Sequence, residues 1–121
     1  MSKYGITGGT LVDGVAVSGT KYSTVLVLQR ASEFSLHMVW DSTSALNATA
    51  TLQVSNKPNP DETSDTDWVD NTDITFTDPG GADLSEFIHV SAASGALYRV
   101  KFVNGSGTGT LTVYAAYKNK Y

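Results

Sequence analysis

Apolar and polar residues alternate along several short segments of the chain, and this period of two residues is typical of β-strands. Residues 34–40 show it most clearly, because large apolar side chains occupy one face and smaller or polar side chains occupy the other. Residues 48–57 alternate in the same way. Both segments therefore predict half-buried strands. The side chains predicted to face the core are Phe34, Leu36, Met38, Trp40, Ala50, Leu52 and Val54.

Residues 97–103 repeat this pattern near the end of the chain. They predict that Tyr98 and every second residue after it face the core, while Arg99 and Lys101 face solvent. Shorter apolar runs bounded by polar or glycine-rich residues predict the remaining strands. These strands are predicted over residues 12–17, 22–29, 68–69, 73–77, 87–91 and 109–118.

Turn-forming residues separate the predicted strands. Residues 41–47 are polar and predict a turn, whereas residues 57–67 contain two prolines and predict a long loop. Residues 78–81 predict a further turn. The Asn104-Gly105 pair predicts a hairpin, because both residue types tolerate the positive φ angles that tight hairpin turns need.

The chain length and the strand pattern together predict one all-β domain. A chain of 121 residues has room for a single domain, and no segment has the period of an amphipathic helix. Seven to eight short strands predict a single antiparallel β-sandwich, jelly-roll-like or immunoglobulin-like. Residues 1–11 lack periodicity and are predicted to form an N-terminal arm, with the sandwich domain spanning residues 12–121.

Composition and charge narrow the function classes. The chain has no cysteine, which excludes disulfide scaffolds, thiolate metal sites and cysteine nucleophiles. Its net charge of −4 is opposite in sign to the charge that nucleic-acid binding favours. No apolar run approaches the roughly 20 residues of a membrane span, and the first residues lack the apolar core of a secretion signal. We therefore expect no nucleic-acid partner, no membrane association and no secretion signal.

No set of side chains predicts catalysis. His37 and His89 are the only histidines, and a serine near either carries little information because 13 serines are spread along the chain. The segment around Ser106 approaches the Gly-x-Ser-x-Gly nucleophile motif, but it lies in a predicted hairpin, whereas that motif needs a strand-to-helix turn. We therefore predict no catalytic residues, no enzymatic activity and no cofactor. A hydrolase that uses one of the two histidines is an alternative.

Nine of the twelve acidic residues lie between Asp61 and Glu86, in a stretch without Lys or Arg. This stretch has three interpretations: it binds calcium, it forms a solvated polar edge, or it contacts a basic partner. The spacing of a calcium-binding EF-hand is absent, and we predict no metal site. Trp68 follows the acidic loop and, with Asp65 and Asp67, is a candidate for contact with a ligand such as a sugar ring.

Aromatic residues outside the predicted core indicate an interaction surface. Tyr114 is out of phase with its inward-facing neighbours, and Tyr121 is the last residue of the sequence. Tyr4 and Ile6 lie in the predicted arm, which can dock on a neighbouring subunit. Tyrosine is enriched at protein interfaces, because its ring is apolar and its hydroxyl forms hydrogen bonds. These four residues are therefore predicted to contribute to an interface.

Three stretches of the sequence, taken in order, resemble a known family. They are FSLHMVW, then ATLQVSNKP with DTDWVD after it, then LYRVKFVNGSGTGTLTVYAAYK, and they cover most of residues 34–118. This arrangement is similar to small virion structural proteins of tailed bacteriophages, in particular capsid decoration, or cement, proteins. The family pattern usually has a short turn between Ser-Asn and Trp, whereas here residues 57–67 form a longer segment.

The resemblance implies a jelly-roll β-sandwich without enzymatic activity that binds the outer surface of a capsid in many copies. Its partner would be the major capsid protein of a tailed phage, and it would bind as a homo-oligomer, a dimer or a trimer. The protein would be made in the host cytoplasm and reside on the exterior of the virion. The alternative is a glycan-binding virion adhesin or a tail-associated β-sandwich module, in which Trp68 would stack on a sugar.

Overall fold

Two long strands dominate the computed structural model, which describes residues 9–28, 33–91, 93 and 96–117. All the pairings are antiparallel, and the described residues contain no helix, so none there could cross a membrane. The strands are β1 (Gly9–Ala16), β2 (Thr20–Tyr22), β3 (Leu26–Val27), β4 (Phe34–Ser55), β5 (Val69–Asp70), β6 (Leu84–Val90) and β7 (Leu97–Tyr117).

Strands β4 and β7 pair along almost their whole length and bend together in the middle. The bend coincides with register shifts between Asp41 and Ala48, where Ser42 and Ala45 have positive φ angles. Gly107 lies opposite with a φ of 80°, and a Cβ atom there would overlap the backbone of Ala45. The strands approach this closely only because residue 107 is a glycine.

The turn predicted over residues 41–47 and the hairpin predicted at Asn104-Gly105 are therefore both wrong. Both segments remain in the ladder between β4 and β7. Positive φ angles and polar residues do occur there, but they bend a continuous pair of strands instead of reversing the chain.

The bend divides the sheet into two layers. The first layer has the order β1, the C-terminal half of β7, the N-terminal half of β4, and β6. The second layer has the order β2 with β3, the N-terminal half of β7, the C-terminal half of β4, and β5. The predicted all-β, single antiparallel β-sandwich of seven to eight strands is confirmed, with seven strands among the described residues.

The core lies between the two layers. Phe34 and Trp40 of the first layer are buried, and so are Tyr98 and Phe102 of the second. The rings of Phe34 and Tyr98 lie 4.8 Å apart across the interior. The inward faces predicted for residues 34–40 and 97–103 are confirmed, and each large buried side chain stabilises the sandwich by about 1.5–3 kcal/mol.

Several boundaries differ from the sequence predictions, and the strand predicted over residues 87–91 spans Leu84–Val90. Strand β1 begins at Gly9 and Leu11 is buried, so residues 9–11 belong to the sheet, while residues 1–8 lie outside the described residues. Residues 22–29 contribute the end of β2 and the short β3 instead of one strand. Residues 73–77 form no strand: they are irregular, and Phe76 of this segment is buried in the core.

Candidate functional site: two outer surfaces of the sandwich

The outer face of the second layer is covered by the loop of residues 56–68. Arg99 lies on this face, in phase with the predicted solvent-facing positions, yet its side chain is fully buried. The prediction that Arg99 faces solvent is therefore wrong. Arg99 does lie on the outer face of β7, as the alternation predicts, but the loop covers this face and buries the side chain.

Backbone and side-chain acceptors surround the Arg99 guanidinium. Its Nε donates to Gln53 Oε1 at 2.8 Å, and Gln53 is the residue directly opposite on β4. Its two terminal nitrogens donate to the carbonyl oxygens of Glu62 at 3.1 Å and Ser64 at 2.5 Å. The planar guanidinium thus ties the loop to the sheet by two hydrogen bonds, and its third hydrogen bond lies within the sheet.

Two aromatic rings enclose the same guanidinium. The Arg99 Cζ lies 3.8 Å from the centre of the Tyr22 ring and 4.2 Å from that of the Trp68 ring. Trp68 is only 7 % exposed, and its Nε1 donates to the carbonyl oxygen of Asp61 at 2.9 Å. Trp68 also packs with Val25 and Leu97 in a small apolar cluster beneath the loop.

Trp68 therefore serves to anchor the loop. A sugar-stacking platform needs an exposed ring face. The burial of Trp68 leaves no such face, so the sequence-based expectation of ring stacking at this residue lacks its physical basis. No signal in the sequence distinguished a loop-anchoring tryptophan from a ligand-binding one, because the distinction depends on Arg99, 31 residues away.

Asp65 forms the polar rim of this anchor. It accepts hydrogen bonds from Lys101 Nζ at 2.6 Å, Gln53 Nε2 at 3.0 Å and the Tyr22 hydroxyl at 3.1 Å. The hydrogen bonds from Lys101 and Gln53, in that order, lower the pKa of Asp65 to about 2. Its carboxylate thus accepts three hydrogen bonds from side chains of the sheet, although the side chain is 48 % exposed.

Asp67 closes the base of the loop. The Asp67 carboxylate accepts a hydrogen bond from Lys57 Nζ at 2.7 Å and another from the backbone N–H of Asp61 at 2.8 Å. These two bonds lower the pKa of Asp67. The three residues that sequence analysis grouped as candidate ligand contacts therefore form contacts within the protein, Asp65 with side chains of the sheet and Asp67 and Trp68 with residues of the loop. Across the ranges that the structure describes, no three acidic or histidine side chains gather as a metal site would require.

The outer face of the first layer is open. Phe87 on β6, His37 on β4 and Tyr114 on β7 lie side by side, one on each of three neighbouring strands. The His37 ring lies 6.2 Å from the Phe87 ring and 5.8 Å from the Tyr114 ring. Phe87 is 69 % exposed and Tyr114 is 45 % exposed. We call this set of three side chains the aromatic row.

The aromatic row contains one predicted interface residue and two additional members. Tyr114 is exposed, as its phase along β7 indicated, while Tyr4, Ile6 and Tyr121 lie outside the described residues. Sequence analysis missed Phe87. The alternation of residues 84–90 places it on the outer face with Ser85 and His89, although an isolated apolar residue on such a face gave no reason to single it out.

The two histidines have different surroundings. His37 Nε2 lies 2.8 Å from Ser85 Oγ within the outer face. His89 Nε2 lies 3.7 Å from Glu33 Oε1, and both side chains are exposed. The described contacts of His37 include a hydroxyl but no carboxylate, so the structure does not assemble the serine, histidine and carboxylate of a hydrolase around it.

Comparisons with known proteins give a fold likeness. No protein-family model matches this sequence, and no curated protein gives a significant match. Among solved structures, the chain is similar to the crystal structure of Bacillus licheniformis lipase BlEst2 in its propeptide form, with a TM-score of 0.54 and 8% sequence identity. The likeness covers 98% of this chain and 24% of that protein, so this chain spans about a quarter of its length. At this identity the likeness concerns the fold alone.

Proposed function

We propose that the protein is a non-enzymatic structural protein of a bacteriophage virion, a decoration or cement protein that binds the outer surface of the capsid and stabilises it. The observation that carries the proposal is the aromatic row, exposed on the outer face of a regular β-sheet. The resemblance of residues 34–118 to virion structural proteins supplies the partner, the major capsid protein of a tailed phage.

The aromatic row suits a protein interface. Of the three large apolar side chains that are exposed in the described part of the chain, Phe87 and Tyr114 lie on this face and Val69 lies on the second layer. Aromatic residues dominate the binding energy of many interfaces, because they bury a large area with few rotatable bonds. The sheet holds their backbones in fixed positions, so little ordering is required on binding.

A decoration role needs only modest affinity from each copy. Many copies bind one shell, and copies that also contact each other bind with avidity. A protein that binds the assembled shell and not its separated subunits shifts the equilibrium toward the shell. The proposed mechanism is therefore stabilisation by binding, and it requires no reaction.

The first test is the copy number of this chain in purified particles, measured by quantitative mass spectrometry against the major shell subunit. A ratio comparable with that of the shell subunit is expected for a decoration protein. A few copies per particle would instead favour the tail-associated or adhesin alternative, and absence from the particle would overturn the proposal.

The second test locates the contact surface by co-sedimentation with undecorated shells. Tyr114→Lys should weaken binding by about 30-fold, the equivalent of roughly 2 kcal/mol for a central aromatic contact. Val69→Lys is the matched control, because Val69 is 67 % exposed on the other layer and should leave binding unchanged. Equal binding by both variants would remove the aromatic row from the interface.

A further inference from the structure

Strand β6 is the edge of the first layer, and among the described strands it pairs with β4 alone. All seven of its residues pair with β4 without a register shift. Among the described residues, no backbone group outside β4 hydrogen-bonds to the backbone of β6. The segment between β5 and β6 contacts β6 through Thr77. The Thr77 N–H and hydroxyl donate hydrogen bonds to the Glu86 carboxylate at 2.9 and 2.7 Å. Glu86 is in phase with the partly buried Leu84 and Ile88, and this contact is made to its side chain and not to the β6 backbone.

The other edges of the sandwich are protected. Strand β1, the opposite edge of the first layer, is interrupted by two register shifts. The edges of the second layer are β2, β3 and β5, which are only two or three residues long. Short strands and bulges are the usual means by which proteins prevent pairing at sheet edges. Strand β6 has neither, and it contains no Pro, Lys or Arg; its one acidic residue is the inward-facing Glu86, whose carboxylate is held by Thr77.

The sequence of β6 is complementary to itself in the antiparallel direction. Its midpoint is Phe87, so a two-fold axis through this residue pairs Leu84 with Val90 and Ser85 with His89 of a second copy. Glu86 then lies opposite Ile88, and no two like charges meet. A register shifted toward Leu84 would place two Glu86 side chains opposite each other, and like charges in that position are destabilising. A shift toward Val90 would leave the first residues of the strand unpaired.

We infer that two copies of this chain pair through β6 in antiparallel register, with the two-fold axis at Phe87. Pairing would satisfy the open backbone groups of both edges and join two first layers into one continuous sheet. Each Phe87 ring would cover the other across the axis, which accounts for an aromatic side chain so exposed in the single chain. The two aromatic rows would then form one line across the dimer.

This inference goes beyond the proposed function and does not depend on it, because it concerns the free protein without any shell. Sedimentation-velocity analysis over a wide concentration range should show a species of twice the 12.8 kDa chain mass. Phe87→Lys would place two ammonium groups across the axis and should raise the dimer dissociation constant about tenfold or more. Tyr114→Lys, two strands from the edge, should leave the dimer intact.

A cysteine scan fixes the register, because the chain contains no cysteine. Under mild oxidation, Phe87→Cys should form a disulfide-linked dimer, since directly opposed residues have Cβ atoms about 4.5–5.5 Å apart and a small approach of the two strands brings them within the roughly 3.5–4.5 Å of a disulfide. Tyr114→Cys, on the same face but away from the axis, should form none. The double variant Ser85→Cys with His89→Cys should also cross-link, because these two residues are opposed in the proposed register.

Three outcomes would overturn the inference. The first is a monomer at every concentration, and the second is a dimer that Phe87→Lys does not weaken. The third is cross-linking of Tyr114→Cys as fast as that of Phe87→Cys. These outcomes differ from failure of the proposed function, in which Tyr114→Lys would bind shells as well as the unsubstituted chain does, whatever the state of the dimer.

Discussion

The two outer faces of the sandwich are built by the same pair of strands, β4 and β7, yet one is covered and the other is open. On the second layer, residues 56–68 fold over Arg99 and bury it. On the first layer, Phe87 and Tyr114 remain exposed beside His37. The charged residue is thus buried and the apolar residues are exposed, the reverse of what residue type alone predicts.

This reversal indicates that the covered face stabilises the fold and that the open face is available for binding. A buried arginine persists only where its hydrogen bonds and its charge are compensated, and here Gln53, two carbonyl oxygens and Asp65 provide that compensation. The exposed aromatic row has no such role within the chain. Changes to the covered face should therefore alter the free energy of unfolding, whereas changes to the open face should alter binding.

The largest effect is expected from Arg99→Ala. Removal of the guanidinium leaves a cavity between Tyr22 and Trp68 and unpaired acceptors beneath the loop, with an expected cost of about 3–5 kcal/mol. Urea denaturation monitored by circular dichroism measures this cost. Lys101→Ala on the same strand is the control and should cost about 1 kcal/mol, because its side chain is partly exposed at the rim. A cost below that of the control would mean that Arg99 does not hold the loop.

A smaller effect is expected at the bend that separates the two faces. Gly107→Ala introduces a Cβ atom against the Ala45 backbone at a positive φ angle, and should destabilise the fold by about 2–3 kcal/mol. Gly19→Ala is the matched control, because Gly19 has a similar φ sign but no atom near its Cβ position. The control should cost about 1–2 kcal/mol of backbone strain alone. Equal midpoints in thermal denaturation would contradict the close approach at the bend.

Acid should weaken the covered face specifically. The pKa of Asp65 lies near 2 in the folded chain against an ordinary value of 3.8, so its contribution is present above about pH 4 and is lost as the pH falls toward 2. Because the side chain is 48 % exposed, solvent screening limits this contribution to about 1 kcal/mol. Unfolding measured between pH 5 and 2 should show a shallower loss for Asp65→Asn. An unchanged slope would show that Asp65 does not stabilise the loop.

The two faces also show where sequence reasoning succeeds. Alternation identified the inward residues of β4 and β7, because burial between layers follows the two-residue period. Alternation did not predict the burial of Arg99. An outward-facing side chain of β7 reaches solvent at Tyr114, whereas at Arg99 it lies beneath the loop. Asn104-Gly105 has the residues of a hairpin turn, yet the pairing with β4 keeps it in a continuous strand. Such distinctions depend on contacts between residues that are distant in the sequence.

The smallest effect on stability is expected on the open face. Phe87→Ser and Tyr114→Ser remove rings that are 69 % and 45 % exposed, so each should change the free energy of unfolding by no more than about 1 kcal/mol. Both variants should nevertheless weaken association, Phe87→Ser that of the free chains and Tyr114→Ser that with shells. Thermal denaturation and sedimentation of the same samples measure the two quantities together. If either serine variant lost as much stability as Arg99→Ala, the open face would belong to the folded core of the chain, and its exposed rings would no longer indicate a partner.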